Sequence, residues 1–246
     1  MRSGGVPRST TNSVPTIYNQ VATQPQMADD DRRYLANAGW DSPTGPHPEC
    51  SILNTASYMD PNPAAATWTV RNLAERAKGT TTPLLFTQGF LEWNTDAEGM
   101  QEFLAHHDGP ERAWLGQWDH KRGGERTADG RLELGREGWF DEVFSFYDQY
   151  LKGVHSTVRY PDIAVEDSTG SWRAEERWPR ADRTTTVPLG GGTYADDGAI
   201  SAFAKRSQPV AQATRLTGTP HVALTTQGIG NVMVRLHDVA PTAPRS

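Results

Sequence analysis

At 246 residues, with 36 % hydrophobic and 22 % charged residues, the chain is long enough for one large domain or two modest ones, and its composition predicts a soluble protein. A net charge of −6 speaks against the basic face that nucleic-acid phosphates demand, and no apolar run approaches the roughly 18–20 residues of a membrane helix. Cys50 is alone, which excludes an intrachain disulfide, and Met1-Arg2-Ser3-Gly4-Gly5 lacks the apolar stretch of a signal peptide; neither fixes a compartment.

Residues 1–80 are rich in Pro, Asn, Thr, Ser and Gly, which predicts long loops around two short helices, over 29–38 and 64–77. The second carries an apolar stripe of Trp68, Val70, Leu73, Ala74 and Ala77. From Pro83 the pattern changes. Leu84-Leu85-Phe86, running into Thr87-Gln88-Gly89, predicts a buried parallel strand that ends in a loop. Asp96 to His106 predicts an amphipathic helix with Met100, Phe103 and Leu104 inward, and Arg112 to Gly116 a second strand. A polar, Gly-rich loop from His120 to Gly138 precedes a strong helix, Trp139 to Leu151, whose core face is read as Phe140, Val143, Phe144, Tyr147 and Leu151. Strand, helix, strand, helix is the order of an α/β layer. After Gly153 the runs shorten: Ile163 to Val165, Thr184 to Leu189, His221 to Thr225 and Val232 to Leu236. Turns such as Asp167-Ser168-Thr169-Gly170 separate them, and they predict an all-β sandwich with too few strands to close.

Two loop positions carry the chemistry. Glu92, in Thr87-Gln-Gly-Phe-Leu-Glu-Trp-Asn94, stands just past the first strand, and His120, in Leu115-Gly-Gln-Trp-Asp-His120, just past the second. Side chains past the ends of parallel strands, about 5 Å apart, can converge where α/β sheets place their ligands. A lone Glu or His on a loop is usually only solvated. An acid and then a histidine, each after a strand, nevertheless follow the order Ser, Asp/Glu, His of the α/β-hydrolase triad. There the histidine takes the serine proton and returns it to the leaving group, while the buried acid fixes its tautomer and stabilises the imidazolium.

Four stretches widen the pattern. Pro83 to Asn94 resembles the acid loop of the X-prolyl dipeptidyl-peptidase and cocaine-esterase-like family of serine hydrolases, in which the acid stands three residues after a glycine, as Glu92 does after Gly89. Leu115 to His120 resembles that family's histidine motif: Gly, any residue, Trp, any residue, His. Trp139 to Gly153 is similar to its closing helix, and Val165 to Pro179 to the opening of its C-terminal jelly-roll-like domain. The resemblance implies a helical cap remnant over 1–80, the late part of an α/β-hydrolase core over 81–155, and an incomplete β-sandwich over 160–246. It implies Glu92 and His120 as catalytic acid and base, a peptide or ester substrate split through an acyl-enzyme, and no metal or organic cofactor. Two departures stand out. Glu92 replaces the usual Asp, and no G-x-S-x-G elbow precedes it, so the nucleophile is expected outside this chain and the chain to be an inactive fragment. The rival expectation is a non-catalytic binding or stability module built on the sandwich.

Other features read more simply. Trp93 and Trp118 flank the two candidates and either wall the substrate pocket or pack beneath it. Asp96 is the reserve acid; Asp119 adjoins His120, but neighbouring side chains diverge. His47-Pro-Glu-Cys50 lacks the partner C-x-x-C of a zinc deaminase, His106-His107 suit a helix C-terminus, and Gly190-Gly-Gly192 lacks the G-K-[ST] of a phosphate loop.

Overall fold

The computed structural model describes residues 2–3, 6–7, 48–60, 62, 64–92, 95, 97–193, 207–228 and 234–238. They fall into two units, Met1–Thr82 with Leu91–Gly109, and Pro83–Phe90 with Pro110–Ser246.

In the first unit a two-residue pair, β1 (Arg2–Ser3) and β2 (Val6–Pro7), is antiparallel. Helix α1 (Pro48–Met59) occupies a stretch expected to be loop. Its start is marked in the sequence after all: proline suits the first helical position, where its missing N–H costs nothing, and Glu49 faces the positive helix end. The helix expected over 29–38 lies outside the described residues. The one expected over 64–77 is two, α2 (Ala66–Thr69) and α3 (Leu73–Ala77). Asn72 divides them: it leaves the helical region, and its side chain accepts the Glu75 N–H at 3.2 Å to start the second helix. Ala74 and Ala77 are buried, whereas Val70 and Leu73 are exposed. Helix α4 (Ala97–Leu104) packs against α3 and buries Leu104. Beyond it, His107 Nε2 bonds the Thr82 carbonyl at 2.9 Å and His106 Nε2 lies 4.0 Å from Glu75, so both histidines have structural contacts.

The second unit is a mixed α/β layer. Its sheet runs β3 (Leu84–Gly89), β4 (Glu111–Gly116), β5 (Ile163–Glu166), β6 (Trp172–Glu175), with the first three strands parallel and the last antiparallel. Ala113, Trp114 and Leu115 of β4 and Ile163, Ala164 and Val165 of β5 are almost wholly buried, the continuous apolar pattern of strands covered on both faces. That continuity explains a difference from expectation: Ile163–Glu166, read as the opening of an all-β region, is the third strand of this sheet. A tight turn, with Gly170 N donating to Asp167 O at 2.9 Å, returns the chain into β6. Thr184 to Leu189 and His221 to Thr225 join no sheet among the described residues, and Val187, Leu189, Val222 and Leu224 are exposed. Of Val232 to Leu236, the first two residues lie outside the described set.

Helix α5 (Trp139–Lys152) lies between Gly138 and Gly153, both at positive φ (92° and 72°), with Asp141 and Glu142 in its first turn and Lys152 in its last. It turns a different face inward than its apolar spacing suggests. Phe140, Phe144, Tyr147 and Leu151 are exposed, while Glu142 and Phe146 are buried. The reason is a polar anchor: the Trp114 indole N–H of β4 donates to Glu142 Oε2 at 2.7 Å. No helix among the described residues is long and apolar enough to cross a membrane.

Candidate active site

β3 and β4 pair in unbroken parallel register from Leu84↔Glu111 to Gly89↔Gly116, so the chain leaves both strands at the same level. Glycine is required at both exits. A Cβ at Gly89 would lie 2.1 Å from the Trp118 carbonyl oxygen, and one at Gly116 would lie 2.1 Å from the Trp118 ring. The loop after β4 therefore folds back across the end of β3, and Phe90 N donates to Gly116 O at 2.7 Å. From these exits Glu92 stands three residues past Gly89 and His120 four past Gly116.

His120 is exposed, on an excursion that is held at several points. At its start, Gln117 N donates to Glu166 Oε2 at 2.9 Å, and the buried Trp118 ring stacks on Trp172 with centroids 6.1 Å apart. Next to His120, Lys121 pairs with Glu133, a bond that raises the ammonium pKa. Farther along, Glu133 N donates to Glu125 O at 2.9 Å, and Leu132 N donates to Glu137 Oε1 at 2.8 Å, which lowers the Glu137 carboxyl. Leu134 closes the excursion by joining Trp114, Trp118 and Ala164 in one buried cluster.

Against that cluster lies a charge pair with a buried carboxylate and a half-buried guanidinium. Arg136 stacks 3.8 Å from the Trp114 ring centroid and donates to Glu142 Oε2 at 3.0 Å. Burial pushes the Glu142 carboxyl above its ordinary range, against the Trp114 hydrogen bond and the Arg136 charge. Burial likewise lowers Arg136, against the Glu142 charge. The pair ties the end of the His120 excursion to α5 and β4.

Glu92 is buried, 7 % exposed, and belongs with residues 91–109, whereas His120 belongs with the sheet unit. Trp93 and Asp96, and also His47, lie outside the described residues. Trp118 is 5 % exposed and packs within the core cluster. Asp119 is exposed. Among the described residues no group of three His, Cys, Asp or Glu side chains is placed to hold a metal ion. One residue at these strand ends escaped the sequence reading. Glu166 is the last residue of β5, and only the pairing of β5 with β4 brings its carboxylate to Gln117.

A family model described as X-Pro dipeptidyl-peptidase (S15 family) matches residues 1–122, a span that includes both Glu92 and His120. No curated protein matches the chain. Among solved structures, an aminopeptidase from the marine sediment archaeon Thaumarchaeota archaeon is similar at 21 % identity with a TM-score of 0.44. The similarity covers 71 % of this chain and 32 % of that one, so the chain spans about a third of that protein's length.

Proposed function

We propose, from the match of residues 1–122 to the X-Pro dipeptidyl-peptidase (S15) family, that the chain is the later part of a serine hydrolase of α/β-hydrolase fold that cleaves an amide or ester bond. The family match supports a peptidase or hydrolase function. The observation that carries the finer reading is the full-register pairing of β3 and β4, from whose ends the chain runs to Glu92 and to His120. In this reading a serine outside residues 1–246 attacks the substrate carbonyl. His120 takes the serine proton and delivers it to the departing amine or alcohol; a water then repeats the sequence and frees the acid product. Glu92 orients the imidazole and stabilises its charged form. A buried carboxylate suits that task, and the extra methylene of Glu over Asp is met by setting its backbone slightly farther back. Substrates are peptides with proline next to the scissile bond, or related esters, and no cofactor takes part.

The test is turnover by the protein joined to the segment that carries its G-x-S-x-G strand, with an X-proline p-nitroanilide and a short-chain p-nitrophenyl ester. Replacing the orienting acid by its amide, Glu92→Gln, should lower kcat about 10⁴-fold, and His120→Ala by at least as much. Turnover that survives His120→Ala removes the assignment.

A further inference from the structure

We propose that Glu166 is a positioning residue for His120, its carboxylate being the post on which both ends of the histidine-bearing excursion are closed. The inference rests on the reading of His120 as the general base, but its geometry is independent of that reading. Glu166 ends β5, one step beyond the Leu115↔Val165 pair, which sets it beside the exit of β4. Its Oε2 accepts the Gln117 N–H at 2.9 Å, and the Gln117 side-chain amide donates back to the Glu166 carbonyl at 3.4 Å. This reciprocal pair fixes the first residue after the strand, three positions before His120.

Two glycines make room for the carboxylate, one on each side of the excursion. A Cβ at Gly116, before it, would come within 2.8 Å of Oε2. A Cβ at Gly135, near its close, would come within 2.8 Å of Oε1, and Gly135 holds a φ of +82° that side-chain-bearing residues rarely adopt. The carboxylate is thus wedged between the departing and returning backbone, and the span that it clamps carries His120. A longer route to the same end exists through Arg136 and Glu142, but that pair holds the return alone. Glu166 holds both.

The experiment uses hydrogen exchange and diethyl pyrocarbonate modification, both read by mass spectrometry on the whole chain and neither dependent on turnover. In Glu166→Ala, exchange over residues 115–120 should rise roughly tenfold, the factor set by one lost hydrogen bond to a charged group. The carbethoxylation rate of His120 should depart from wild type while that of exposed His155 stays unchanged. Glu166→Gln, which keeps an acceptor oxygen in place, should restore both. Wild-type exchange at 115–120, or a wild-type rate at His120, in Glu166→Ala overturns the proposal. Should that variant open everywhere, with α5 exchanging as well, Glu166→Asp decides. It keeps the charge but withdraws the carboxylate by one methylene, so local opening supports the clamp and wild-type exchange overturns it. Failure of the hydrolase reading appears elsewhere, as turnover indifferent to His120, and leaves the exchange result standing.

Discussion

Glu142 shows how a single side chain sets the orientation of its surroundings. It is 1 % exposed, accepts the Trp114 indole N–H at 2.7 Å and the Arg136 guanidinium at 3.0 Å, and sits in the first turn of α5. Truncation to alanine leaves an indole donor and a half-buried cation without their acceptor, the situation in which breaking a buried pair costs about 3–5 kcal/mol. Urea unfolding of Glu142→Ala should show that loss as a lower midpoint at an unchanged slope. Glutamine keeps the acceptor and should cost much less. The pH dependence separates the two carboxamide and carboxylate cases further. Because burial raises the Glu142 carboxyl, the folded state binds its proton more tightly than the unfolded chain does. Stability then falls as pH rises from the ordinary glutamate range, about 4.3, toward the raised value. Glu142→Gln should remove that decline, and a wild-type profile that rises across the same window would contradict the assigned cause. Asp167 works in the opposite sense. Hydrogen bonds from Thr169 hold its carboxyl low, so its contribution to the β5–β6 turn is present above the ordinary aspartate range and lost as pH falls through the depressed value.

At the scale of elements, α5 gives the sharpest test of which face is which. Phe146 is 5 % exposed and Phe144 64 % exposed, two residues apart on one helix. Phe146→Ala should cost about 3–5 kcal/mol, while Phe144→Lys should change stability by no more than about 0.5 kcal/mol. Apolar spacing alone predicts the reverse order, so a pair of melting curves discriminates. Two apolar stripes interleave round this helix, Phe140, Phe144, Tyr147, Leu151 and Trp139, Val143, Phe146, Tyr150, and periodicity has no means of ranking them. The second wins because it contains the position of Glu142, whose partner Trp114 lies 28 residues earlier. The ends of α5 were legible because glycines stand at both, and β3 and β4 were legible because each is an apolar run that stops at a glycine. The loop positions of Glu92 and His120 followed from those stops. β5 was read into the wrong layer because a short apolar run carries no label for its neighbour. Glu166 was invisible for the same reason, since its role depends on a strand pairing across 49 residues of chain. The single helix read over 64–77 failed on a local signal that was present: Asn72 is a better cap than helix interior.

For the whole chain, the proposed reading makes a demand on activity: residues 1–246 alone should show no appreciable amidase or esterase turnover. Acyl transfer in this class runs through a serine ester, and without the serine that route is closed. In intact enzymes that lose their triad, a residual acceleration of about 10³–10⁴ over water persists, derived from the oxyanion hole and from substrate binding. Even that residue requires donors aimed at the developing oxyanion and a wall that holds the carbonyl near them. In the proposed enzyme those come with the same segment as the nucleophile. His120, exposed at the end of β4, can then act only on bulk water, with no carbonyl held beside it. In the proposed enzyme Glu92 serves to orient the imidazole, a task that brings no substrate to it. Purified chain and a His120→Ala variant should therefore hydrolyse an X-proline p-nitroanilide and a short-chain p-nitrophenyl ester at the same background rate, and neither should be labelled by a fluorophosphonate. Turnover clearly above that of the variant, abolished by the fluorophosphonate, would mean that one of the chain's own serines is the nucleophile. The triad would then be complete within these residues, and the hydrolase would be assembled around β3 and β4 in a way that the G-x-S-x-G rule does not describe.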